Sequence, residues 1–253
     1  MKVNLSVVII TFNEEANIAR CLDAVEGIAD EVVVVDSFST DQTKEICIQR
    51  GVRFFERAFD GYVTQKNFAN AQAVYPHILS LDADEVLSEE LKQAVLALKH
   101  NWINDGYYLS RVTNYCSAWI RHGGWYPDRK LRLYDRRKGK WEGLLLHEKF
   151  ELTGDSTSSS VKGDLLHYSY TSITQHLNQI NLFTDIALEE MKQEKKRVFI
   201  LGLIVKPSFR FVRMYFMKLG FMDGFEGFCI ATLSAYAVFV KYAKLYMYNK
   251  YKA

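Results

Sequence analysis

Short apolar runs alternate with amphipathic stretches over the first hundred residues. The runs that predict buried strands are Leu5–Ile10, Glu31–Val35, Val52–Phe55 and His77–Leu81. Stretches with apolar residues at helical spacing follow these runs. The predicted helices begin at Asn13 and at Ser39, cover Val63–Ala73, and cover Glu89–Leu98 after a Ser88 cap. This alternation predicts parallel βαβ units with helices on both faces of a sheet.

The pattern changes after residue 105. Three further strands are predicted at Tyr107–Val112, Leu131–Tyr134 and Lys149–Leu152. The polar stretch Gly154–Gly163 predicts a turn at the tip of a hairpin. Apolar residues return to helical spacing over Ser172–Glu194. We therefore expect an α/β domain followed by a helical C-terminal segment.

Charge is distributed unevenly along the 253 residues, although the net charge is only +2. Residues 195–253 contain eleven Lys or Arg and two acids, a net charge of +9, so the first 194 residues carry −7. The same segment holds 14 of the 35 aromatic residues. A basic, aromatic-rich segment of this kind predicts an anionic surface as its partner.

The apolar runs Val198–Val205 and Phe228–Val240 favour a membrane surface over nucleic acid as that partner. Neither run reaches the roughly 18–20 residues that span a bilayer. We expect the segment to lie on the membrane with its cations at the head groups. The alternative is a buried helix pair that closes the domain.

The four cysteines, Cys21, Cys47, Cys116 and Cys229, lie far apart and form no CxxC pair. This spacing does not indicate a disulfide framework or a cysteine-rich zinc site, and it fits a reducing compartment. The N-terminal residues lack the pattern of a secretory signal, so we expect none. The histidines at 122, 167 and 176 also lack the spacing of a zinc site.

Polar and acidic residues stand where three predicted strands end. They are Thr11–Glu15, Asp36 with Ser37, and Asp82 with Asp84 and Glu85. Because parallel strands bring their carboxyl ends to one edge, these residues are expected to converge there. Mg²⁺ or Mn²⁺ would relieve the repulsion between the carboxylates and would neutralise a departing diphosphate. The alternative is a set of loop acids that precede a helix cap.

The motifs TFNEE, VVDSFSTDQT, QKN and LDADE resemble the nucleotide-sugar-binding half of glycosyltransferase family 2, which has the GT-A fold. The later motifs WYPDRKLRLY, LLHE and FMDGFEGF are similar to the branch that includes bacterial lipopolysaccharide-core glucosyltransferases. The resemblance implies a Rossmann-like, mostly parallel sheet with helices on both faces. It also implies a nucleotide-sugar half over residues 1–105, an acceptor half over 106–170, and a helical, membrane-facing segment over 171–253.

The resemblance assigns roles to individual residues around the donor. The residues implied at the nucleotide are Thr11, Asn13, Glu15, Asp36, Lys66 and Asp82. Asp36 would accept a hydrogen bond from the uracil, and Asp82 would face the ribose. Asp84 would hold the divalent metal. Ser37 stands where many relatives have Asp or Gly, at a position that is not expected to carry the chemistry.

The implied reaction is inverting sugar transfer, which needs a general base at the acceptor hydroxyl. Glu148 is the candidate, because it matches the position of an acid in this branch. His147 is the competitor, since an imidazole with an ordinary pKa near 6.5 suits a base at neutral pH. The alternative is an exposed His–Glu pair at the start of a strand.

The stretch Gly123–Arg137 is rich in aromatic and basic residues. The candidates for acceptor and phosphate binding are Trp125, Arg129, Lys130 and Arg132, because aromatic rings suit sugars and guanidinium groups suit phosphates. The alternative is a solvated basic loop with one packed tryptophan.

Together these features predict a metal-dependent hexosyltransferase that moves a sugar from a nucleotide diphosphate, with UDP-glucose as the model donor, to a lipid-linked or lipopolysaccharide-core glycan. We expect it in the cytoplasm, peripheral on the inner face of the cell membrane, without a nucleic-acid partner. Two alternatives stay open: a non-catalytic nucleotide-sugar-binding membrane adaptor, and a nucleotidyltransferase. The second normally has a Gly-rich loop after the first strand, where this chain has TFNEE.

Overall fold

The computed structural model describes residues 2–143 and 148–251, which form two compact units. Unit 1 comprises Met1–Arg111 and Asp128–Tyr168, and unit 2 comprises Val112–Pro127 and Ser169–Ala253.

Unit 1 is built on a mixed sheet whose first half is parallel. The parallel strands are β1 (Leu5–Thr11), β2 (Glu31–Asp36), β3 (Arg53–Glu56) and β4 (His77–Asp82), in the order β3-β2-β1-β4. The helices that follow the first three strands are α1 (Ile18–Val25), α2 (Thr43–Gln49) and α3 (Tyr62–Gln72). The predicted βαβ units are confirmed.

The second half of the sheet is largely antiparallel. Its strands are β5 (Glu85–Leu87), β6 (Gly106–Tyr115), β8 (Asp128–Asp135) and β11 (Ser158–Tyr170), and the helix α4 (Glu89–His100) follows β5. The short strand β7 (Ala118–Ile120) belongs to unit 2. The strand order continues from β4 through β8, β6 and β11 to β5, while β7 pairs with β6. Two shorter strands, β9 (Gly139–Glu142) and β10 (Lys149–Leu152), form a separate hairpin.

The core of unit 1 lies on both faces of this sheet, as the uninterrupted apolar runs predict. Val7 and Ile9 of β1 pack in a cluster with Ile18 of α1, whereas Val8 packs on the other face with Ala69 of α3. Each fully buried Val, Leu or Ile contributes about 1.5–3 kcal/mol. This two-sided burial explains why the strands do not alternate between apolar and polar residues.

Two of the predicted helix starts, at Ser88 and Ser172, are confirmed, and two are wrong: α2 begins at Thr43 rather than at Ser39, and the start at Asn13 fails as well. Ser88 caps α4 by accepting a hydrogen bond from the Leu91 amide at 3.3 Å, and Ser172 caps the next helix in the same way. Asn13 does not cap α1, which begins at Ile18. The φ angle of Asn13 is 52°, a left-handed conformation that Asn tolerates. Its side chain accepts a hydrogen bond from the Thr40 amide of another loop instead.

The predicted turn at Gly154–Gly163 is wrong in its second half, where β11 has already begun at Ser158. Gly163 has a φ of +95°, and a Cβ placed there would lie 2.4 Å from the backbone nitrogen of Leu91. A glycine at this position lets β11 approach α4 closely, so its role is packing within a strand rather than turning the chain.

Unit 2 is mainly helical. Its helices are α5 (Ile173–Gln193), α6 (Gly202–Val212) and α7 (Gly224–Tyr251), with a π-helical turn at Arg213–Met217 and a 3₁₀ turn at Gly220–Asp223. A small core holds Tyr115, Ile120, Met214, Ile230 and Ala231. The helical segment Gly220–Tyr251 is, by length and composition alone, sufficient to cross a membrane, with a mean hydropathy of 1.3 in its most apolar window. The run Phe228–Val240, which is too short by itself to span a bilayer, forms the middle of this longer helical segment.

Candidate active site

A cavity of about 470 Å³ opens in unit 1 at the carboxyl ends of the parallel strands. Thr11 and Asp82, at the ends of β1 and β4, contribute to its wall. Three exposed aromatic side chains, Phe12, Phe59 and Tyr62, also line it. This combination of flat apolar rings and convergent polar groups suits a ligand that carries both a ring and charge.

Asp82 is held by two cations. Its Oδ2 accepts a hydrogen bond from Nη2 of Arg132 at 2.5 Å, and its Oδ1 lies 3.0 Å from Nζ of Lys66. Burial opposes ionisation of the Asp82 carboxyl, but Arg132 and Lys66 outweigh it and hold its pKa far below the usual range. Asp82 therefore stays a carboxylate.

Arg132 also connects Asp82 to a second acid, the buried Glu85. Its Nη2 also donates to Oε1 of Glu85 at 3.0 Å, and Glu85 pairs with Arg111 at 3.1 Å. Arg132 and Glu85 are 3% and 0% exposed. Burial disfavours the Arg132 cation, but the carboxylates of Asp82 and Glu85 outweigh it and raise its pKa. The sequence predicts Arg132 at the acceptor, and the structure pairs it with Asp82 and Glu85.

Lys66 joins Asp82 to the candidate base. Its Nζ lies 3.3 Å from Oε1 of Glu148 as well as 3.0 Å from Asp82, and its side chain is 2% exposed. The ammonium also lies 4.6 Å from the centre of the Trp141 ring. The resemblance implies Lys66 at the nucleotide base or phosphates, and the structure makes it a bridge between two carboxylates. His147 lies outside the described residues.

Asp84 faces a histidine that the sequence pattern does not single out. Nε2 of His167 lies 3.1 Å from Oδ2 of Asp84, and both residues line the cavity. The pairing of β11 with β5 sets His167 opposite Glu85, and so next to Asp84. No spacing in the sequence could reveal this contact, because it depends on the register of two distant strands.

Asp84 and His167 together fit a divalent cation. A carboxylate oxygen and an imidazole nitrogen are ligands that Mn²⁺ accepts, and Mg²⁺ accepts the first. Within residues 2–143 and 148–251 there is no cluster of three or more His, Cys, Asp or Glu that could hold a metal. A metal at this pair would therefore need further ligands, such as phosphate oxygens and water.

The residues of the first loop divide between cavity and scaffold. Thr11 is buried on the cavity wall, and its Oγ1 has no hydrogen-bond partner in the described part of the chain. Asn13 accepts a hydrogen bond from the Thr40 amide at 2.8 Å, and Glu15 accepts one from the Gln42 amide at 3.0 Å. These two side chains hold the first loop to the loop before α2.

Glu14 rather than Glu15 is the acid of this loop that lines the cavity. Burial raises the pKa of Glu14, against the opposing effect of a hydrogen bond from Asn17, and the nearby Asp84 raises it further. The family resemblance implies Glu15 at this place. Because the chain turns at Asn13 instead of entering a helix, the residue that faces the cavity shifts by one.

Asp36 is buried at the end of β2 and is already bonded. It accepts hydrogen bonds from the backbone nitrogen of Ser39 at 2.7 Å and from its hydroxyl at 2.5 Å. The next residue, Ser37, lines the cavity and accepts a hydrogen bond from Gln65 at 3.2 Å. Asp36 thus lies next to the cavity, and its bond to uracil stays a prediction.

The predicted acceptor residues of unit 1, all on β8, have different surroundings. Arg129 is exposed on β8, and Lys130 pairs with Asp128 at 3.3 Å. Arg132, on the same strand, points into the charged network described above. Trp125 belongs to unit 2, where its ring lies 5.8 Å from that of Tyr170. Arg129 and Lys130 are thus the two predicted acceptor residues on β8 that face solvent.

Comparisons with known proteins agree on the family and the fold. The family model described as Glycosyl transferase family 2 matches residues 6–150. The lipopolysaccharide core biosynthesis glycosyltransferase LpsC of Rhizobium meliloti is 30% identical, over 100% of this chain and 95% of that protein. An uncharacterized glycosyltransferase of Rickettsia typhi is 30% identical over 95% of this chain and 86% of its own.

Among solved structures, the mannosyltransferase PcManGT from Pyrobaculum calidifontis, in complex with GDP-Man and Mn²⁺, has a TM-score of 0.50 at 14% identity. The likeness covers 96% of this chain and 74% of that one. At this identity it shows a shared fold, in agreement with the expected α/β architecture.

Proposed function

Because this chain belongs to glycosyl transferase family 2, we propose that it is an inverting hexosyltransferase that uses a uridine-diphosphate hexose and a divalent metal. The observation that carries the proposal is the arrangement at the strand ends. Asp82 and Asp84 share one cavity wall, and Lys66 connects Asp82 to Glu148. The residues proposed as donor-side carboxylate, metal ligands and base therefore all belong to unit 1.

On the donor side, Asp82 is oriented for the ribose by Arg132 and Lys66. Asp84 and His167 are the residues that would hold Mg²⁺ or Mn²⁺, which when bound would neutralise the charge of the departing diphosphate. Phe12 and Tyr62 line the cavity and offer flat surfaces for the base or the sugar. Thr11 has an uncommitted hydroxyl on the same wall.

On the acceptor side, Glu148 acts as the general base. The acceptor oxygen forms a bond to the anomeric carbon while the bond from that carbon to the diphosphate breaks, and the hydroxyl proton passes to Glu148. The ammonium of Lys66 lies 3.3 Å from Oε1 of Glu148 and holds this carboxylate in position.

The acceptor proposed for this chain is a lipid-linked or lipopolysaccharide-core glycan, reached from the cytoplasmic face of the membrane. Support comes from LpsC, which is named for lipopolysaccharide core biosynthesis and matches the whole chain. Arg129 and Lys130 lie on β8 where they could meet anionic groups of such an acceptor. Trp125 stays a candidate for contact with its sugar.

A panel of nucleotide sugars, with and without Mn²⁺, tests this function by thermal stabilisation and by hydrolysis of the donor. The matching donor should raise the melting temperature only with metal present, by mass action. Glu148→Gln should abolish transfer and keep the stabilisation. Glu151→Gln, at a surface-paired glutamate on β10, is the matched control and should transfer normally.

Each outcome has a defined meaning. Near-normal turnover in Glu148→Gln would remove Glu148 from the role of base. Stabilisation by a donor without any hydrolysis or transfer, in wild type and variant alike, would indicate a nucleotide-sugar-binding adaptor. If no nucleotide sugar stabilises the chain, the proposed donor class is wrong.

A further inference from the structure

Unit 2 carries many exposed apolar side chains between residues 199 and 228, here called the apolar surface. Its most exposed members are Phe199 at 84% and Phe225 at 70%, and no side chain of α6 is buried. Phe209 and Phe216 also belong to it. Water-soluble monomers rarely expose so many large apolar groups in one short segment, so a partner is indicated.

The charge of the same segment identifies the partner's chemistry. Residues 195–222 include seven Lys or Arg and no Asp or Glu. Lys195, Lys196 and Arg197 lie immediately before the apolar surface, and Arg210 and Arg213 lie within it, all exposed. Cations that flank inserted apolar side chains match the head groups and the acyl boundary of an anionic bilayer.

A second copy of the chain fits less well. Two such surfaces placed face to face would bring like charges together, which is unfavourable at an interface. The apolar surface contains only two acids, Asp223 and Glu226, near its end. Asp223 is already engaged by His122, whose Nδ1 lies 2.8 Å from its Oδ1.

The partners of α7 argue against a helix that crosses the bilayer. Lys244 of α7 binds Asp185 of α5 at 2.6 Å and Thr184 at 2.9 Å. Lys192 of α5 lies 4.7 Å from the ring centre of Tyr248. Inside the apolar run, Ile230 and Ala231 of α7 pack with Tyr115 and Ile120 of the strands β6 and β7. If α7 spanned the bilayer, these strands would be carried into the hydrocarbon, where the backbone of an open sheet edge cannot be satisfied.

We propose that unit 2 docks on an anionic lipid bilayer through the apolar surface, lying in the interface rather than crossing it. The inference stands apart from the proposed function, since it concerns where the chain binds and not which sugar it transfers. It makes residues 195–228 the membrane-contacting segment.

Vesicle flotation of the full chain tests the docking. Binding should be strong with vesicles of phosphatidylcholine and phosphatidylglycerol, weaker with phosphatidylcholine alone, and should fall as salt rises. Replacing Lys195, Lys196 and Arg197 by Gln should lower the partition at least tenfold, since one cation near the surface accounts for about fivefold. Lys162→Gln, at an 87% exposed lysine of unit 1, is the control and should bind as wild type.

The apolar contribution is tested with Phe199→Ser and Phe209→Ser together, against Ile103→Ser at a 71% exposed site in unit 1. The double variant should lose most vesicle binding, while the control should keep it. All variants should retain donor-induced thermal stabilisation, which separates failure of docking from failure of the proposed function.

Three results would overturn the proposal. They are the absence of binding to anionic vesicles, an equal loss of binding in the unit 1 controls, and resistance of the membrane-bound chain to extraction at alkaline pH, as expected of a spanning helix. A concentration-dependent dimer that does not bind vesicles would instead identify a second copy as the occupant.

Discussion

Replacing Arg132 by Met distinguishes the role that the sequence predicts for this residue from the role that its position supports. The change removes the hydrogen bonds to Asp82 and Glu85 and leaves each carboxylate with one cation, Lys66 and Arg111 respectively. Losing one partner of a buried pair costs about 3–5 kcal/mol. Because both acids keep a second cation, we expect the lower end, about 3 kcal/mol.

For a chain of this size, about 3 kcal/mol corresponds to a fall in melting temperature of roughly 6–12 °C. Arg129→Met is the matched control, because Arg129 lies three residues away on the same strand and is exposed. A surface change of this kind should alter the melting temperature by about 1–2 °C at most. Differential scanning calorimetry or a thermal-shift dye measures both variants.

The pH dependence of the difference in melting temperature between the wild type and Arg132→Met is a second test. In the wild type the pKa of Asp82 is lowered, so its ion pairs stabilise the fold above the ordinary Asp pKa of about 3.9, and this stability is lost as the pH falls towards the lowered value. Arg132→Met raises that pKa towards normal. The gap in melting temperature between the two proteins should therefore be full at pH 7 and should narrow below about pH 4.

The reasoning would be refuted by an Arg132→Met protein that melts with the Arg129→Met control, binds donor as wild type, and shows only a raised KM for the acceptor. That pattern would return Arg132 to the acceptor side. A lowered melting temperature together with weaker donor binding would support its role in orienting Asp82.

Three further predictions concern the metal pair, a close backbone approach and a buried imidazole. Asp84→Asn should abolish Mn²⁺-dependent stabilisation by donor, worth about 2.7 kcal/mol at a hundredfold excess over Kd, and should leave the ligand-free melting temperature unchanged; His167→Gln should act in the same direction. Gly163→Ala should destabilise the fold by about 2–4 kcal/mol through its positive φ and its clash with α4, whereas Gly154→Ala, with open space around it, should cost about 1–2 kcal/mol in urea unfolding. Burial lowers the pKa of His176 from 6.5 to about 4, so stability should fall by up to about 3 kcal/mol as the pH drops from about 6.5 to 4; His176→Phe should flatten this dependence in tryptophan-monitored unfolding.

Local pattern predicts the elements of this fold well and their exact starts less well. The apolar runs of β1, β2 and β4 are confirmed because burial on both faces leaves no position for a polar side chain. The start of α1 could not be predicted, since Asn13 is a good cap by type but is used by Thr40 of another loop. The first part of β11 could not be recognised as a strand, because its serines and Gly163 are typical of a turn.

The candidate site could likewise be predicted where it depends on local sequence, and could not where it depends on contacts between distant strands. Asp82 and Asp84 could be placed because strand ends of a parallel sheet share an edge. His167 could not be placed, since it reaches Asp84 only through the register of β11 with β5. The pairing of Arg132 with Asp82 and Glu85 could not be predicted for a related reason: sequence alone does not say whether a basic residue on a strand faces solvent or the interior.

The negative charge of the acids that converge at the strand ends is balanced largely by cations of the chain itself. Asp82 and Glu85 share Arg132, while Lys66 lies between Asp82 and Glu148. Asp84 differs from these acids, because its ion pair among the described residues is with His167, an imidazole that is cationic only when protonated. The internal cations thus hold Asp82, Glu85 and Glu148 in place, whereas the pairing of Asp84 with His167 is one that an incoming cation could replace. In the proposed function, this division is the reason for assigning the metal to Asp84 rather than to Asp82.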